Sequence, residues 1–167
     1  MQKKLPESVD FLKQVERNAC FEGAWPVARF ERLTELICND QGEVMAWLKF
    51  GTRAGAACLD GRIQTELELR CQRCLDPVRH RIESEFRFGL VRSDDEAALL
   101  PREFEPLLVS DSEQSLVELV EDELLLSLPL VARHDDECSE ILQKHRKDEN
   151  TQQDTHRPFA ALKDLMG

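Results

Sequence analysis

The chain has 167 residues, 41% of which are hydrophobic, so its length and composition predict one domain with a modest core and exclude a wholly disordered chain. No run approaches the ~18 apolar residues that a membrane-spanning helix needs, and the lysine-containing N-terminus lacks the apolar stretch of a secretory signal. We therefore expect a cytoplasmic protein whose six cysteines are reduced, as core residues, metal ligands or redox groups, rather than paired in disulfides.

The net charge of −11 is distributed unevenly along the chain. Residues 93 to 123 contain eleven aspartates and glutamates against the single Arg102, which leaves the remainder of the chain almost neutral. Such an acidic belt either keeps a small protein soluble or holds a basic protein, and separate basic patches can still contact RNA. Charge alone therefore leaves a protein partner and an RNA partner open.

The first part of the chain contains two predicted strands with a helix between them. Apolar residues at helical spacing (Phe30, Leu33 and Ile37) indicate the helix, and an apolar residue at every second position from Val44 to Phe50 indicates a strand. The predicted elements are a strand over 19 to 27, a helix over 28 to 38 and a strand over 42 to 52.

A β-hairpin is the clearest structural prediction. Two runs in which mostly apolar positions alternate with polar ones, 63 to 71 and 78 to 88, flank the turn sequence CLDP. With the turn centred near the start of that sequence, Glu68 lies opposite Arg81, a favourable cross-strand pair.

A long amphipathic helix is predicted after a short strand over 104 to 110. The helix begins with a capping box, either Ser110 with Glu113 or Asp111 with Gln114, and Pro129 ends it. Its acidic face, expected to face solvent or a partner, consists of Glu118, Glu121 and Asp122.

These elements predict one α+β domain over residues 1 to 138. Its mostly antiparallel sheet contains a central hairpin and is packed by an N-terminal helix and the long amphipathic helix. Residues 139 to 157 are polar and nearly free of aromatics, which predicts a flexible linker. The apolar residues 158 to 167 are expected to dock on the domain as a short C-terminal helix.

Two cysteines separated by two residues, Cys71 and Cys74, suit a tight turn around a zinc ion, which needs two further ligands. The nearest suitable pair is His134 with Cys138, so these four residues form the predicted Cys₃His site. Cys71 also lies on the inward parity of the first run and can instead be a buried core thiol. A redox role is disfavoured because the pair sits in a hairpin turn rather than at a helix N-terminus.

Catalytic motifs are missing from the sequence, which has no glycine-rich phosphate loop, no G-x-S-x-G and no H-E-x-x-H. We therefore expect that the protein is not an enzyme and has no small-molecule substrate. The remaining candidate site is a group of arginines around the hairpin turn, because arginine binds phosphate and stacks on exposed bases. The predicted RNA-binding or partner-binding arginines are Arg70, Arg73, Arg79 and Arg81, and the alternative is an ordinary charged sheet face.

Three motifs occur together in this order: CQRCLDP (71 to 77), VEDELLLSLPLVARHDDEC (120 to 138) and RPFAALKDLM (157 to 166). With them the chain resembles the YceD family, whose members are called large ribosomal RNA subunit accumulation proteins. The resemblance implies a role in accumulation of the large-subunit (23S) ribosomal RNA and no established catalytic activity. Some members carry further cysteine pairs before the terminal helix, whereas this chain has only His134 and Cys138 there, which implies a reduced metal site or none.

The sequence therefore predicts a non-enzymatic ribosome biogenesis factor that acts through ribosomal RNA, a basic ribosomal protein, or both. A zinc-stapled module that bridges other proteins without contacting RNA is the alternative. The oligomeric state is not predicted.

Overall fold

The computed structural model describes residues 5 to 110, 112 to 136 and 138. Two compact units divide the chain, Met1–Arg133 and His134–Gly167, and the fold given below is that of the first. The predicted linker and the predicted C-terminal helix lie outside the described residues. Among the described helices, none combines the length and the apolar character that crossing a bilayer requires.

A five-stranded sheet forms the centre of the domain, as the α+β prediction requires. The strands of the described residues are β1 (Ser8–Val9), β2 (Cys20–Pro26), β3 (Glu43–Arg53), β4 (Ala56–Arg70), β5 (Pro77–Val91), β6 (Glu105–Leu108) and β7 (Gln114–Ser115). Strands β2 to β6 are neighbours in chain order; all pair antiparallel except β6, which runs parallel to β5. Strands β1 and β7 form a separate antiparallel pair. The predicted class, a mostly antiparallel sheet with a central hairpin, is confirmed.

The helices in the described part of the chain are short apart from one. They are α1 (Phe11–Glu16), α2 (Glu31–Thr34), α3 (Asp94–Ala98) and α4 (Leu116–Ser127), with a 3₁₀ turn at Val27–Arg29. The predicted helix over 28 to 38 is wrong in its length, because α2 covers only four of those residues. Ile37 instead forms a β-bridge with Leu69, and the Cys38 N–H donates to the Glu68 carbonyl at 2.7 Å. Pairing with β4 therefore takes the place of further helical turns.

The core lies on one face of the sheet. On β3 the predicted inward residues Val44 and Phe50 are fully buried, and Leu48 is 1% exposed. Helix α1 covers this face through Phe11, whose ring centroid lies 5.4 Å from that of Phe50. Helix α4 packs against β5. The alternation of apolar and polar residues thus places one side of each strand in the core and the other side outward.

Close packing between β4 and β5 depends on Gly61. This glycine lies opposite Phe86, and a Cβ atom at position 61 would lie 2.0 Å from Cε2 of the Phe86 ring. Phe86 is itself buried, and displacing its ring would disturb its contact with Phe88, whose ring centroid lies 5.2 Å away. The missing side chain provides the space that the ring occupies.

The hairpin has a register different from the predicted one. Glu68 lies opposite Arg79 rather than Arg81, which is a shift of two residues. The reason is the loop: residues 71 to 76 join the strands, and the Cys71 N–H donates to the Asp76 carbonyl at 2.9 Å. A shift of two keeps every side chain on its predicted face, because the side-chain period of a strand is two.

Helix α4 begins later than predicted. The Ser115 hydroxyl accepts a hydrogen bond from the Glu118 N–H at 3.1 Å, so Ser115 is the N-cap and both predicted capping boxes are wrong. The chain just before Leu116 pairs with β1 and therefore cannot be helical. The helix ends at Ser127, two residues before Pro129. This end was expected, because proline cannot continue a helix and restricts the residue before it.

Candidate functional surfaces and metal centre

The predicted basic residues all lie on the β4–β5 hairpin or its loop: Arg70, Arg73, Arg79 and Arg81. Carboxylates occupy the neighbouring positions. Arg79 Nε lies 3.2 Å from Glu68 Oε1, and Arg79 Nη1 lies 3.8 Å from Glu66 Oε1. Arg81 pairs along its own strand with Glu83 at 2.5 Å. Arg79 and Arg81 are thus already engaged by glutamates.

The same arrangement extends along both strands. We define the charge ladder as the outward-facing charged residues of β4 and β5: Asp60, Arg62, Glu66, Glu68, Arg70, Arg79, Arg81, Glu83, Glu85 and Arg87. It contains five arginines and five acidic residues, so its formal net charge is zero. Ion pairs occur at both ends, and Arg87 Nε lies 2.7 Å from Asp60 Oδ1. A surface that the sequence presents as basic is therefore electrically balanced.

The hairpin loop has one strained residue. Leu75 has a φ of +69°, in the left-handed region, and its N–H donates to the Cys71 carbonyl at 3.0 Å. An L-residue with a Cβ atom pays roughly 1–2 kcal/mol for this conformation. The surrounding contacts of the loop must therefore hold Leu75 in place.

The predicted metal ligands are brought together. One ligand atom each of Cys71, Cys74, His134 and Cys138 lies within 4.8 Å of the other three. Cys71 is buried and the other three residues are half-buried. The predicted cluster of four is confirmed, whereas the presence of an ion stays a prediction.

The chemistry of the four residues fits zinc. Three sulfurs and one imidazole nitrogen form a common structural zinc set, and ligands at about 2.3 Å from the ion lie roughly 3.8 Å apart. The observed 4.8 Å limit therefore requires a contraction of about 1 Å at most. The Arg73 N–H points at Cys71 Sγ with a distance of 3.5 Å. A backbone donor in this position favours the thiolate form that binds a metal.

Glu121 of α4 is placed differently from the prediction. It is only 5% exposed, so the expectation that it faces solvent is wrong, whereas its contact with a partner stays a prediction. Its Oε1 accepts hydrogen bonds from the backbone N–H groups of Arg32 and Leu33, at 2.8 and 3.1 Å. Its Oε2 accepts a hydrogen bond from Arg32 Nε at 2.9 Å. These donors are at the start of α2, where helical N–H groups have no partner within the helix. Glu121 therefore caps α2 from a second helix.

Glu118 and Asp122 remain exposed beside it, and Asp122 pairs with Arg32 Nη1 at 2.7 Å. They line a groove of about 560 Å³ at the junction of α2 and α4. We call this the acidic groove; its charged lining is Glu7, Arg29, Glu31, Arg32, Glu118, Glu121 and Asp122. Five carboxylates against two guanidinium groups leave it with a net negative charge. The acidic groove thus has an excess of negative charge, whereas the charge ladder is neutral.

Two members of the acidic groove, Glu7 and Glu31, do not appear in the sequence-based site. They are more than 80 residues from α4 in the chain, and no local motif connects them to it. The pairing of β1 with β7 and the bond from the Leu116 N–H to the Glu7 carbonyl (2.8 Å) bring Glu7 to the groove. Glu7 also forms an ion pair with Arg29.

A second acidic cleft, of about 640 Å³, lies along β5 and β6. Its lining includes Glu103, Glu105 and Glu123, together with Arg87 and Arg102. Partial burial raises the pKa of Glu123, and the nearby carboxylates of Glu105 and Asp122 raise it further. The sequence-based site does not include this cleft either, because its lining combines β5 and β6 with residues as far apart in the chain as Asp60 and Glu123.

Comparison with known proteins identifies the family to which the chain belongs. The model of the family described as large ribosomal RNA subunit accumulation protein YceD matches residues 59 to 166. The chain belongs to the YceD family. A relative from Haemophilus influenzae, named large ribosomal RNA subunit accumulation protein YceD, is 35% identical over 144 residues, which is 84% of this chain and 83% of the relative. No solved structure matches the chain. The resemblance read from the three motifs is thereby confirmed.

Proposed function

We propose that this protein is a non-enzymatic factor of ribosome biogenesis that supports accumulation of 23S ribosomal RNA. Its family and its relative both carry the description of large ribosomal RNA subunit accumulation, which supports a role in ribosome biogenesis. The role implies a location in the cytoplasm, where bacterial ribosomes assemble, and needs neither a small-molecule substrate nor a membrane. The acidic groove is the observation that carries the mechanism.

We propose that the acidic groove binds a basic ribosomal protein. Its exposed carboxylate Glu118 is available to a lysine or arginine side chain of the partner, exposed Asp122 adds negative charge beside it while pairing with Arg32, and buried Glu121 holds the groove in shape. A local excess of negative charge attracts a basic protein before contact and orients it on arrival. The same charge repels RNA, so the groove favours a protein partner over a nucleic acid.

An RNA contact at Arg70, Arg73, Arg79 and Arg81 is the other route to the same function. Phosphate binding by Arg79 would compete with Glu68 and Glu66, which already pair with it. Because the whole ladder is balanced, it supplies little of the electrostatic attraction on which RNA affinity depends. The protein contact is therefore the better supported of the two.

The test is the ratio of 23S to 16S ribosomal RNA in cells that lack the protein. We expect the ratio to fall, and to be restored by the wild-type protein but not by the Glu118→Lys, Asp122→Lys double variant. The matched control is Arg79→Glu with Arg81→Glu, which alters the ladder and should still restore the ratio. An unchanged ratio in the deleted strain would exclude the proposed function.

A zinc-stapled module that bridges other proteins is the second candidate, and the Cys₃His cluster favours it. When bound, zinc would join the hairpin loop to the residues after α4 through Cys71, Cys74, His134 and Cys138. The measurement is the zinc content of the purified protein, with Cys74→Ser as the disrupted site and the exposed Cys38→Ser as control. We expect near-stoichiometric zinc in the wild type and in Cys38→Ser only. A content below about a tenth of an equivalent in the wild type excludes the site.

A further inference from the structure

An apolar groove of about 350 Å³ lies beside the hairpin loop and shares no lining residue with the acidic groove. Its apolar lining is aliphatic throughout: Leu36, Leu69, Leu75, Leu128, Pro129 and Ala132. Three leucines at this end of the molecule are exposed: Leu36 by 56%, Leu75 by 66% and Leu130 by 97%. Large apolar side chains grouped at a surface in this way are a mark of an interaction site.

The groove has walls fixed by hydrogen bonds. The Gln72 N–H donates to the Ala132 carbonyl at 2.8 Å, and Gln72 Nε2 donates to the Leu130 carbonyl at 3.3 Å. These two bonds hold the segment after α4 against the hairpin loop. A site formed before its partner arrives loses less conformational entropy on binding, which favours a specific partner.

The chemistry of the groove selects the class of partner. Its lining contains no aromatic ring, so it offers no platform for stacking an exposed base. It also contains no acidic side chain, whereas Arg70 lines it and exposed Arg133 follows Ala132 directly. An aliphatic floor beside arginines complements leucine-like side chains flanked by glutamate or aspartate.

We propose that this groove binds a short aliphatic segment with acidic flanks from a partner protein. The leucine-like side chains of the segment would enter between Leu75 and Leu128, and its carboxylates would pair with Arg70 and Arg133. This surface is separate from the acidic groove and takes a partner of opposite charge. The inference therefore does not depend on the proposed ribosomal contact.

The test is fluorescence anisotropy with the full-length protein and a labelled peptide that has leucines at helical spacing separated by glutamates. We expect the wild type to bind this peptide, and Leu75→Ser and Arg70→Glu each to weaken binding about tenfold, as is usual for central interface residues. The matched controls are Leu99→Ser, a leucine that is 84% exposed elsewhere, and Arg62→Glu in the charge ladder; neither should change binding. All substituted residues are exposed, and thermal unfolding verifies that each variant is folded.

Four results would overturn the proposal. One is the absence of binding to the wild type, and another is equal binding of a peptide with serines for leucines or lysines for glutamates. If single-stranded oligouridine displaces the peptide from the wild type, and if Leu75→Ser abolishes binding of the oligouridine, the groove would be assigned to RNA. A wild-type dimer in sedimentation that becomes monomeric with Leu130→Ser would assign the groove to a second copy of the chain.

Discussion

The charge ladder and the acidic groove contain similar residues but differ in how their charges are paired. In the ladder, arginines and glutamates alternate on adjacent strands, and Arg79 illustrates the result with two carboxylates within 4 Å. In the acidic groove, two arginines face five carboxylates, and one of these, Glu121, is buried. The folded structure, rather than the local sequence, determines which charges lie together, and it leaves the ladder neutral and the acidic groove negative.

The largest effect is expected at Glu121, the buried carboxylate of the acidic groove. Glu121→Ala leaves the Arg32 and Leu33 N–H groups without an acceptor, and each such buried donor costs about 1–3 kcal/mol. We expect the free energy of unfolding to fall by about 3 kcal/mol in urea denaturation. Glu118→Ala, the exposed neighbour, should change it by less than about 0.5 kcal/mol. Equal effects of the two substitutions would show that Glu121 does not cap α2.

The packing beneath the ladder should be the next most sensitive feature. Gly61→Ala places a methyl group in the space of the Phe86 ring, and overpacking of this kind costs about 2 kcal/mol. Gly51→Ala is the matched control, because its Cβ atom would meet only Asn18 Oδ1 at 3.5 Å, an ordinary contact. Urea denaturation measures both variants. A Gly61→Ala protein as stable as Gly51→Ala would contradict the close fit of β4 and β5.

A single pair of the ladder should contribute little. The interaction between Glu68 and Arg79, measured by a double-mutant cycle with alanine, should be about 0.5 kcal/mol and should weaken in high salt, because Arg79 is exposed to solvent. The same cycle on Arg32 and Glu121 should give a larger interaction energy that salt reduces less. Equal energies would remove the distinction between the ladder and the groove.

The smallest effect concerns Glu123, whose pKa is raised by partial burial and by the charges of Glu105 and Asp122. A raised pKa means that the folded protein favours the protonated carboxyl, so this group lowers stability as the pH rises through that pKa. Glu123→Gln should therefore increase the free energy of unfolding at pH 7 by a few tenths of a kcal/mol, within the range of surface substitutions. The gain should shrink as the pH falls below 4.5, the ordinary pKa of a glutamate carboxyl, because the unfolded chain then binds the proton as well. A loss of stability at pH 7 would contradict the sign of the shift.

Much of the sheet can be predicted from local pattern. The parity of β3 and of the β4–β5 hairpin follows from alternation, since one misplaced residue would expose a whole apolar face. The register could not be predicted in this way, because it depends on the conformation of the loop. Six residues lie between the paired Arg70 and Pro77, and the rules for short turns do not predict a loop of this length. The short α2 was also unpredictable, since its end is set by the bridge from Ile37 to a distant strand.

The candidate sites divide in the same way. The Cys₃His cluster could be predicted because few ligand-type residues are available and their spacing is restrictive. The acidic groove could be predicted only in part, because Glu118 and Asp122 share one helix while Glu7 and Glu31 arrive from the N-terminal part of the chain. The burial of Glu121 depends on donors in α2, about 90 residues earlier, which no periodicity of α4 reveals.

The most direct test of the central claim is affinity purification of the protein with and without RNase, followed by identification of the bound proteins. We expect the wild type and the ladder variant (Arg79→Glu, Arg81→Glu) to retain a basic ribosomal protein after RNase treatment, and the groove variant (Glu118→Lys, Asp122→Lys) to lose it. Loss of every ribosomal protein from the wild type on RNase treatment, or equal capture by the groove variant, would contradict it.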